Sequence, residues 1–433
     1  MKHITLLFTV LLSIGSIKAQ NIDAIINAAE VEKIERTLSS DEMQGRRTFT
    51  PGNLLAAKFI ADEFKKAGLK PGAGDSYLQS FQMARTKFIS AAGTVNGQAI
   101  DSKNIVALST IPVLQITDKS GYETVQVSAT DTLFQIIRRL QQQRKNFVVA
   151  IDPVHARAFN GLKQMRREMF ETPNSIVCIL NAAAIQTFDI EFKQEIQLMP
   201  LQNVVGILPG KKKAAEYVIF SGHYDHLGIG KTNEAGDSIY NGANDDAAGT
   251  TAVMMLARYY AQLNDNERTL IFVAFTAEEV GGFGAQYFSR QFDPEKVTAM
   301  FNIEMIGTES KWGRNAAYIT GYEKSDMGAI LQRNLKGSDF TFHPDPYTTQ
   351  RLFYRSDNAT LARLGVPAHT ISTSRMEPDV NAYNKEVDKY YHTLDDEIET
   401  LDMKNMAAII KAIATSARSI IAGKDTPSRV REN

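Results

Sequence analysis

Short apolar runs alternate with amphipathic stretches over the second half of the chain, from residue 203 onward. A short apolar run is typical of a buried strand, and apolar residues three or four positions apart are typical of a helix. The predicted strands are residues 203–208, 217–221, 269–275, 298–303, 317–320 and 368–372, and the predicted helices are residues 247–263, 284–292, 326–334, 357–364 and 403–421. This alternation predicts an α/β fold with a mixed, mostly parallel sheet sandwiched by helices.

Two regions with a different pattern precede this alternation. Residues 30–38 and 53–68 have helical spacing and predict a pair of helices that pack on the main body. Between residues 87 and 200, short strand-like pieces surround helical runs, and no residues have the spacing of metal ligands. Residues 87–200 are therefore expected to form an inserted, smaller α+β domain. The main domain is then built from residues 20–86 and 201–425, followed by a polar tail at 426–433.

The first 19 residues have the pattern of a signal peptide. Lys2 and His3 precede an apolar run at residues 4–14, and Ala19 ends a suitable cleavage site. The apolar run is shorter than the ~20 residues that a membrane span needs, and no later stretch is long enough. We therefore expect an exported protein, periplasmic or extracellular, without a stable membrane anchor.

Composition and charge narrow the classes of function. The 433 residues are 43% hydrophobic, which is enough to build folded domains, and the formal net charge of -1 offers no basic field for nucleic acid. The single cysteine, Cys178, excludes an internal disulfide and is expected to be buried rather than reactive. Neither a nucleic acid nor an obligate protein partner is expected.

Candidate metal ligands follow the predicted strands or precede predicted helices, and ligands in α/β sheets gather at the carboxyl ends of strands. His223 and Asp225 are two positions apart and would face the same side of an extended segment. The other candidates are Asp245–Asp246, Glu278–Glu279, Glu304 and His392. Imidazole and carboxylate groups without thiolates suit zinc, with cobalt or manganese as alternatives. Two such ions can share a bridging carboxylate.

Each of these pieces also has an ordinary structural explanation. A lone histidine is more often structural, adjacent glutamates usually face solvent, and an aspartate at a helix start is usually a cap. Glu278–Glu279 directly follow an apolar strand, however, where a solvated pair is less expected. The joint pattern therefore favours a metal site more than any single piece does. His226 is close to these residues and is expected either to contact a metal ligand or to lie in a loop.

Seven motifs resemble those of a known family. They run in the family's order between residues 203 and 421 and are GHYDHLG, NGANDDAAG, FTAEEVGGFGAQYF, NIEMIG, YRSDN, LGVPA and YHTLDDE. Together they resemble the zinc-dependent exopeptidases that include secreted bacterial leucine-type aminopeptidases, glutamate carboxypeptidases and glutaminyl cyclases. The resemblance implies a metallopeptidase that acts on peptides and holds two zinc ions per chain.

The resemblance also implies a role for each matching residue. The implied zinc ligands are His223, Asp245, Glu279, Glu304 and His392, with Asp245 bridging both ions. Glu278 would be the general base, and Asp225 would orient a ligand imidazole. Tyr391 would donate to the developing oxyanion, and Arg355 would either contact substrate or lie on the surface.

Two positions depart from the family's pattern. Glu304 stands where members commonly have aspartate, and the extra methylene is expected to shift or weaken the second metal site. Asn358 stands where relatives often have histidine, so side-chain specificity is not carried over.

The expected reaction is hydrolysis of the N-terminal peptide bond, because Glu278 and Glu304 can recognise a free amino group. The alternatives are a carboxypeptidase or a glutaminyl cyclase on the same scaffold, or a binding module without catalysis.

Overall fold

The computed structural model describes residues 22–165, 167–181, 183–375 and 390–431. The predicted signal peptide, residues 1–19, lies outside these residues, so export stays a prediction. The chain divides into two compact units, one formed by Met1–Gln79 with Asn203–Asn433 and the other by Ser80–Gln202. In the described part of the chain, no helix is long and apolar enough to cross a membrane.

The first unit is built on a mixed sheet. Its strands in spatial order are Thr341–Pro344, Ala316–Ile319, Ala368–Ser372, Val297–Ile303, Lys213–His223, Arg268–Phe275 and the end of Phe188–Leu208. Lys213–His223 is central and pairs in parallel with both Arg268–Phe275 and Val297–Ile303. Val297–Ile303 in turn pairs in parallel with Ala368–Ser372, whereas Phe188–Leu208 is antiparallel to its neighbour. Four adjacent strands therefore end at the same edge of the sheet.

Helices cover both faces of this sheet. They are Ile22–Ile25, Ala28–Leu38, Pro51–Lys66, Ala248–Leu263, Phe283–Ser289, Met327–Asn334, Ala359–Ala362, Met403–Ser416 and Arg418–Ile421. Because side chains alternate along a strand, Phe220 packs in the core that contains Ala248–Leu263, and Ile219 packs in a second core with Phe288. The predicted α/β sandwich is confirmed.

The helix boundaries differ from the sequence prediction in detail. The helix expected at 403–421 is interrupted at Ala417, and the one expected at 357–364 is a single turn, Ala359–Ala362. The helix expected from residue 247 is preceded by a π-helical turn, Ala243–Ala247, which carries the acidic pair Asp245–Asp246. Asp245 and Asp246 themselves have non-helical backbone angles, so the turn is kinked at this pair.

The second unit, Ser80–Gln202, contains the range predicted as an insert, 87–200. Its four-stranded sheet has the order Ile105–Leu108, Ile176–Leu180, Phe147–Ile151 and Glu123–Val127, and its helices are Leu133–Gln142 and Ala156–Met165. The remaining strands, some shared with the first unit, are Leu78–Val95, Gln98–Ala99, Val113–Thr117, Glu168–Phe170 and Phe188–Leu208. Cys178 is fully buried in Ile176–Leu180, as predicted, and burial raises the pKa of its thiol to about 12.

Candidate metal centre

The predicted site residues lie at or just beyond the ends of adjacent strands. His223 is the last residue of Lys213–His223 and pairs in register with Phe275, three positions before Glu278. Glu304 follows Val297–Ile303 directly, on the other side of the central strand. Parallel pairing thus brings residues that are far apart in sequence to one edge of the sheet.

Asp245 and Asp246 have different roles, which the sequence alone did not distinguish. Asp246 is fully buried, and its carboxylate accepts the backbone N–H groups of His223, Gly249 and Met305 at 3.1, 3.0 and 3.0 Å. It therefore ties the π-helical turn to two strand ends. A side chain at Gly249 would collide with the Ile303 carbonyl and with this carboxylate. Asp245 is left free to face the histidines.

Asp245 lies between two groups of potential metal ligands. His223, Asp245 and Glu304 each offer an atom within 4.8 Å of the others, and so do His226, Asp245, Glu279 and His392. One carboxylate oxygen of Asp245 is 3.2 Å from Nε2 of His223, and the other is 3.1 Å from Nε2 of His392. A carboxylate with one oxygen toward each group has the position that a bridging ligand requires.

The side chains fit zinc. Two atoms that each bind one tetrahedral zinc at about 2.0–2.2 Å lie about 3.3–3.5 Å apart. Nε2 of His392 lies 3.1 Å from Asp245 and 3.2 Å from Glu279, close to that separation. Nε2 of His223 and of His392 are buried and, among the described residues, have no hydrogen-bond partner. Buried nitrogens without a partner are rare in proteins, and a cation held between them and the carboxylates would satisfy them.

The electrostatics of the site favour a cation. Burial lowers the pKa of His392, but its contacts with Asp245 and Glu279 outweigh burial and raise the pKa to about 10. His223 behaves in the same way, because Asp245 and Glu278 raise its pKa well above the usual range against the effect of burial. Zinc binding displaces such protons from imidazole.

The structure changes the expected role of the Asp225 carboxylate. The imidazole Nδ1 of His223 lies 3.1 Å from the Asp225 backbone carbonyl but 3.8 Å from its carboxylate. The carboxylate instead accepts the N–H of Glu278 at 3.0 Å, the N–H of Glu279 at 3.4 Å and the hydroxyl of Thr48 at 2.9 Å. Asp225 therefore orients the imidazole through its main chain, while its side chain fixes the turn that carries the two glutamates.

Glu278 has the environment of a general base. Burial, together with the nearby carboxylates of Glu304 and Asp357, raises the pKa of its carboxyl well above the usual range. A raised pKa lets a carboxylate accept a proton near neutral pH. The preceding residue, Ala277, has a φ of 63°, so the strand turns sharply before Glu278.

His226 contacts a candidate metal ligand, which is one of the two positions expected for it. Its side chain is fully buried, and its Nδ1 lies 2.9 Å from Glu279 Oε1 and 4.0 Å from Asp245 Oδ2. The contact fixes the Glu279 carboxylate from the side opposite His392. Only its position three residues after His223 could have pointed to it, and that spacing alone does not separate a ligand from a loop residue.

A polar cavity of about 70 Å³ opens beside these residues. Asp245, Glu278, Glu279 and Glu304 line one part of it, together with Tyr391, His392 and Arg355. The Tyr391 ring stacks on the His392 ring with centroids 3.9 Å apart, and burial raises the pKa of its phenol, which keeps the hydroxyl protonated. Both residues predicted to meet substrate, Tyr391 and Arg355, therefore lie at the cavity.

Several hydroxyl groups complete the cavity wall, and sequence reasoning did not find them. They belong to Tyr318, Thr320, Ser356, Thr370, Ser372 and Ser374. Asn358, which departs from the family's pattern, is fully buried and is not part of the wall. It donates to the Phe353 and Ala368 carbonyls and accepts the Thr370 hydroxyl, so it shapes the cavity through Thr370.

Comparison with known sequences identifies the first unit. A model of peptidase family M28 matches residues 203–417. A probable zinc metalloprotease of Pyrenophora teres f. teres (strain 0-1) is 30% identical over 169 residues, which cover 38% of this chain and 32% of that protein. Aminopeptidase YwaD of Bacillus subtilis (strain 168) is 21% identical over 245 residues, which cover 53% of this chain and 47% of that protein. The chain spans less than half the length of these two relatives.

Solved structures share the fold. An aminopeptidase from Aneurinibacillus sp. strain AM-1 superposes with a TM-score of 0.52 at 16% identity, over 95% of this chain and 97% of that chain. Glutaminyl cyclase of Porphyromonas gingivalis superposes with a TM-score of 0.51 at 11% identity, over 92% and 99% of the two chains. The family match spans the strand ends that carry the candidate ligands, and with this fold it shows that residues 203–417 of the chain belong to peptidase family M28, a family of zinc metallopeptidases.

Proposed function

We propose that this protein is an exported zinc aminopeptidase that hydrolyses the N-terminal peptide bond of its substrates. The observation that carries the proposal is the Asp245 carboxylate, which places one oxygen 3.2 Å from His223 and the other 3.1 Å from His392. This geometry supports two ions per chain, one in each group of ligands. Export rests on the signal-like pattern of residues 1–19 alone.

Each group of side chains has a task in this reaction. His223, Asp245, Glu279, Glu304 and His392 would hold the zinc, with His226 supporting Glu279. Bound zinc supplies a Lewis acid, which polarises a carbonyl and lowers the pKa of water. The Glu278 carboxylate takes a proton from the attacking water and passes it to the leaving amine.

The acidic wall of the cavity favours a substrate with a free amino terminus. Glu278 and Glu304 both line the cavity, and their carboxylates can accept hydrogen bonds from an ammonium group. The protonated Tyr391 hydroxyl is available to donate a hydrogen bond to the oxygen on which negative charge develops.

The test is turnover of a peptide panel by the full chain. Each peptide is supplied with a free amino terminus, with an acetylated amino terminus and with an amidated carboxy terminus. We expect residue-by-residue release from free and from amidated peptides, no release from acetylated ones, loss of activity with a chelator and recovery with zinc. Release from the carboxy terminus of acetylated peptides would instead favour a carboxypeptidase and contradict the proposal.

A further inference from the structure

An open groove of about 620 Å³ lies next to the polar cavity. It is lined by Gln350, Arg351, Tyr354, Arg355 and Arg363, which together are called the arginine groove below. Arg355 lines both the groove and the cavity. A ligand that fills the cavity can therefore extend past Arg355 into the groove.

The three arginines of the groove have no acidic partner in the part of the chain that the structure describes. Among the described residues, their guanidinium groups form no ion pair and no hydrogen bond. Some other exposed arginines of the same unit form ion pairs, as Arg314 does with Glu309 and Asp402. The groove therefore presents positive charge with which no acidic side chain of the described residues forms an ion pair.

Tyr354 gives the groove a defined centre. The Arg363 guanidinium lies 5.4 Å from the centroid of its ring, and the Lys324 ammonium lies 5.9 Å from it, so two cations contact one aromatic ring. Arg351 has a φ of 53° and lies between two short helical turns, Thr348–Gln350 and Leu352–Tyr354. The cationic groups of Arg363 and Lys324 therefore lie beside the same aromatic ring.

The charges of cavity and groove are opposite in sign. Four carboxylates line the cavity, whereas Arg355 stands at its junction with a groove whose described lining residues are cationic or neutral. A planar guanidinium group matches a carboxylate with two parallel hydrogen bonds. A peptide with its ammonium group in the cavity and a carboxylate in the groove would satisfy both regions.

We propose that the arginine groove is a substrate subsite that binds a carboxylate of the peptide. The carboxylate comes either from an acidic side chain or from the free carboxy terminus of a short peptide. The inference rests on the proposed function in one respect, because it takes peptides as the substrates.

The first test compares matched peptides that have either glutamate or glutamine at position 1, 2 or 3. These peptides are amidated, so that only a side chain can supply the carboxylate. A further set has glutamine and a free carboxy terminus, so that only the terminus can supply it. Paired guanidinium–carboxylate contacts predict that one carboxylate-bearing set has a kcat/KM about tenfold higher than the matched peptides that lack this carboxylate. The difference should come mainly from a lower KM. The preference should shrink at high salt and vanish in the double variant R351Q/R355Q, but persist in K58Q, which removes a positive charge outside the groove. Equal rates for all sets, or a preference that survives in the double variant, would overturn the proposal.

The second test uses binding and is independent of turnover. The zinc-loaded variant Glu278→Gln is titrated with fluorescein-labelled glutamate and glutamine peptides, and anisotropy reports the Kd. We expect tighter binding of the carboxylate-bearing peptide, and the same Kd for both peptides once R351Q/R355Q is added. If the wild-type chain cleaves no peptide, the proposed function fails, but the titration still tests whether the groove binds a carboxylate. Equal Kd values for the two peptides in Glu278→Gln alone would refute the groove proposal.

Discussion

Asp396 accepts the backbone N–H of Asp245 through a carboxylate oxygen at a distance of 3.0 Å. Its other carboxylate oxygen accepts the N–H of Asn244 at 2.8 Å, and its carbonyl accepts the N–H of Ala243. Asp396 lies four residues after His392, so one short segment supplies both a candidate ligand and the support of the bridging aspartate. These backbone contacts therefore help to fix the separation between Asp245 and His392.

Substitution of Asp396 by asparagine is expected to weaken zinc binding. An amide has only one acceptor oxygen, so one of the two N–H groups in the π-helical turn loses its partner. Changes in groups that support metal ligands typically cost about 10–100-fold in metal affinity. Competition with a chromogenic chelator measures this, and D395N, at an exposed neighbouring aspartate, is the matched control. An unchanged zinc affinity in D396N would show that the turn does not depend on Asp396.

Arg46 holds the same region from the inside of the fold. Its guanidinium is fully buried and donates to the carbonyls of Leu38, Tyr224, Asn241 and Gly242. Methionine fills similar space but donates nothing, so Arg46→Met should lower the free energy of unfolding by at least about 3 kcal/mol. Urea denaturation of zinc-saturated protein measures the loss. Arg47→Met, at the exposed next residue, should lose far less, and equal losses in both variants would contradict the role of Arg46.

We expect Glu304 to decide whether one ion or two are bound. It belongs to the group with His223 and Asp245, and burial raises its pKa while its contact with Ser356 opposes that effect. We expect two zinc ions per wild-type chain and about one in Glu304→Gln, because the other group keeps Asp245, Glu279 and His392. Metal analysis after gel filtration measures both proteins. Equal zinc content in the two proteins would mean that Glu304 is not a ligand.

His369 makes stability depend on pH. Its Nδ1 faces the Thr320 carbonyl at 2.8 Å and must donate, while its Nε2 lies 2.7 Å from the Ser325 hydroxyl and accepts. Burial lowers its pKa to about 4, so between pH 4 and 6.5 the unfolded chain binds a proton that the folded chain excludes. Stability should therefore fall as the pH is lowered through this window, by roughly 3 kcal/mol in total.

The variant His369→Gln isolates this contribution. Glutamine can donate to Thr320 and accept from Ser325 but does not titrate, so its stability should decline less between pH 6.5 and 4 than that of the wild type. Denaturant unfolding at four pH values measures the difference. The same slope in both proteins would contradict the assignment.

The sequence predicted the residues that follow directly on apolar strands. His223, Glu278 and Glu304 were found because a strand buried on both faces reads as an apolar run, and its first polar residues mark the carboxyl edge of the sheet. The family resemblance then implied a role for each of these residues, as a metal ligand or as the general base. Parallel pairing of the strands explains why residues far apart in sequence meet at one site.

Contacts between distant segments could not be predicted in this way. Arg46 reaches Gly242 across 196 positions, and nothing in its local sequence marks it as a buried residue. The different tasks of Asp245 and Asp246 depend on the backbone of the π-helical turn rather than on residue type. Leu78–Val95 was not predicted as one strand, because buried and exposed positions along it do not alternate regularly. Phe188–Leu208 does alternate over its first eight residues, and the sequence analysis missed that signal; the alternation breaks at residues 196–198.

The central claim is that Glu278 moves the proton in a reaction that zinc supports. The most direct measurement is kcat for amino-acid anilides in Glu278→Gln, with zinc content determined on the same sample. Glutamine keeps the size of the side chain but cannot accept the proton, so kcat should fall by about 10²–10⁴-fold while zinc content stays at the wild-type value. A kcat equal to that of the wild type, at equal zinc content, would contradict the mechanism.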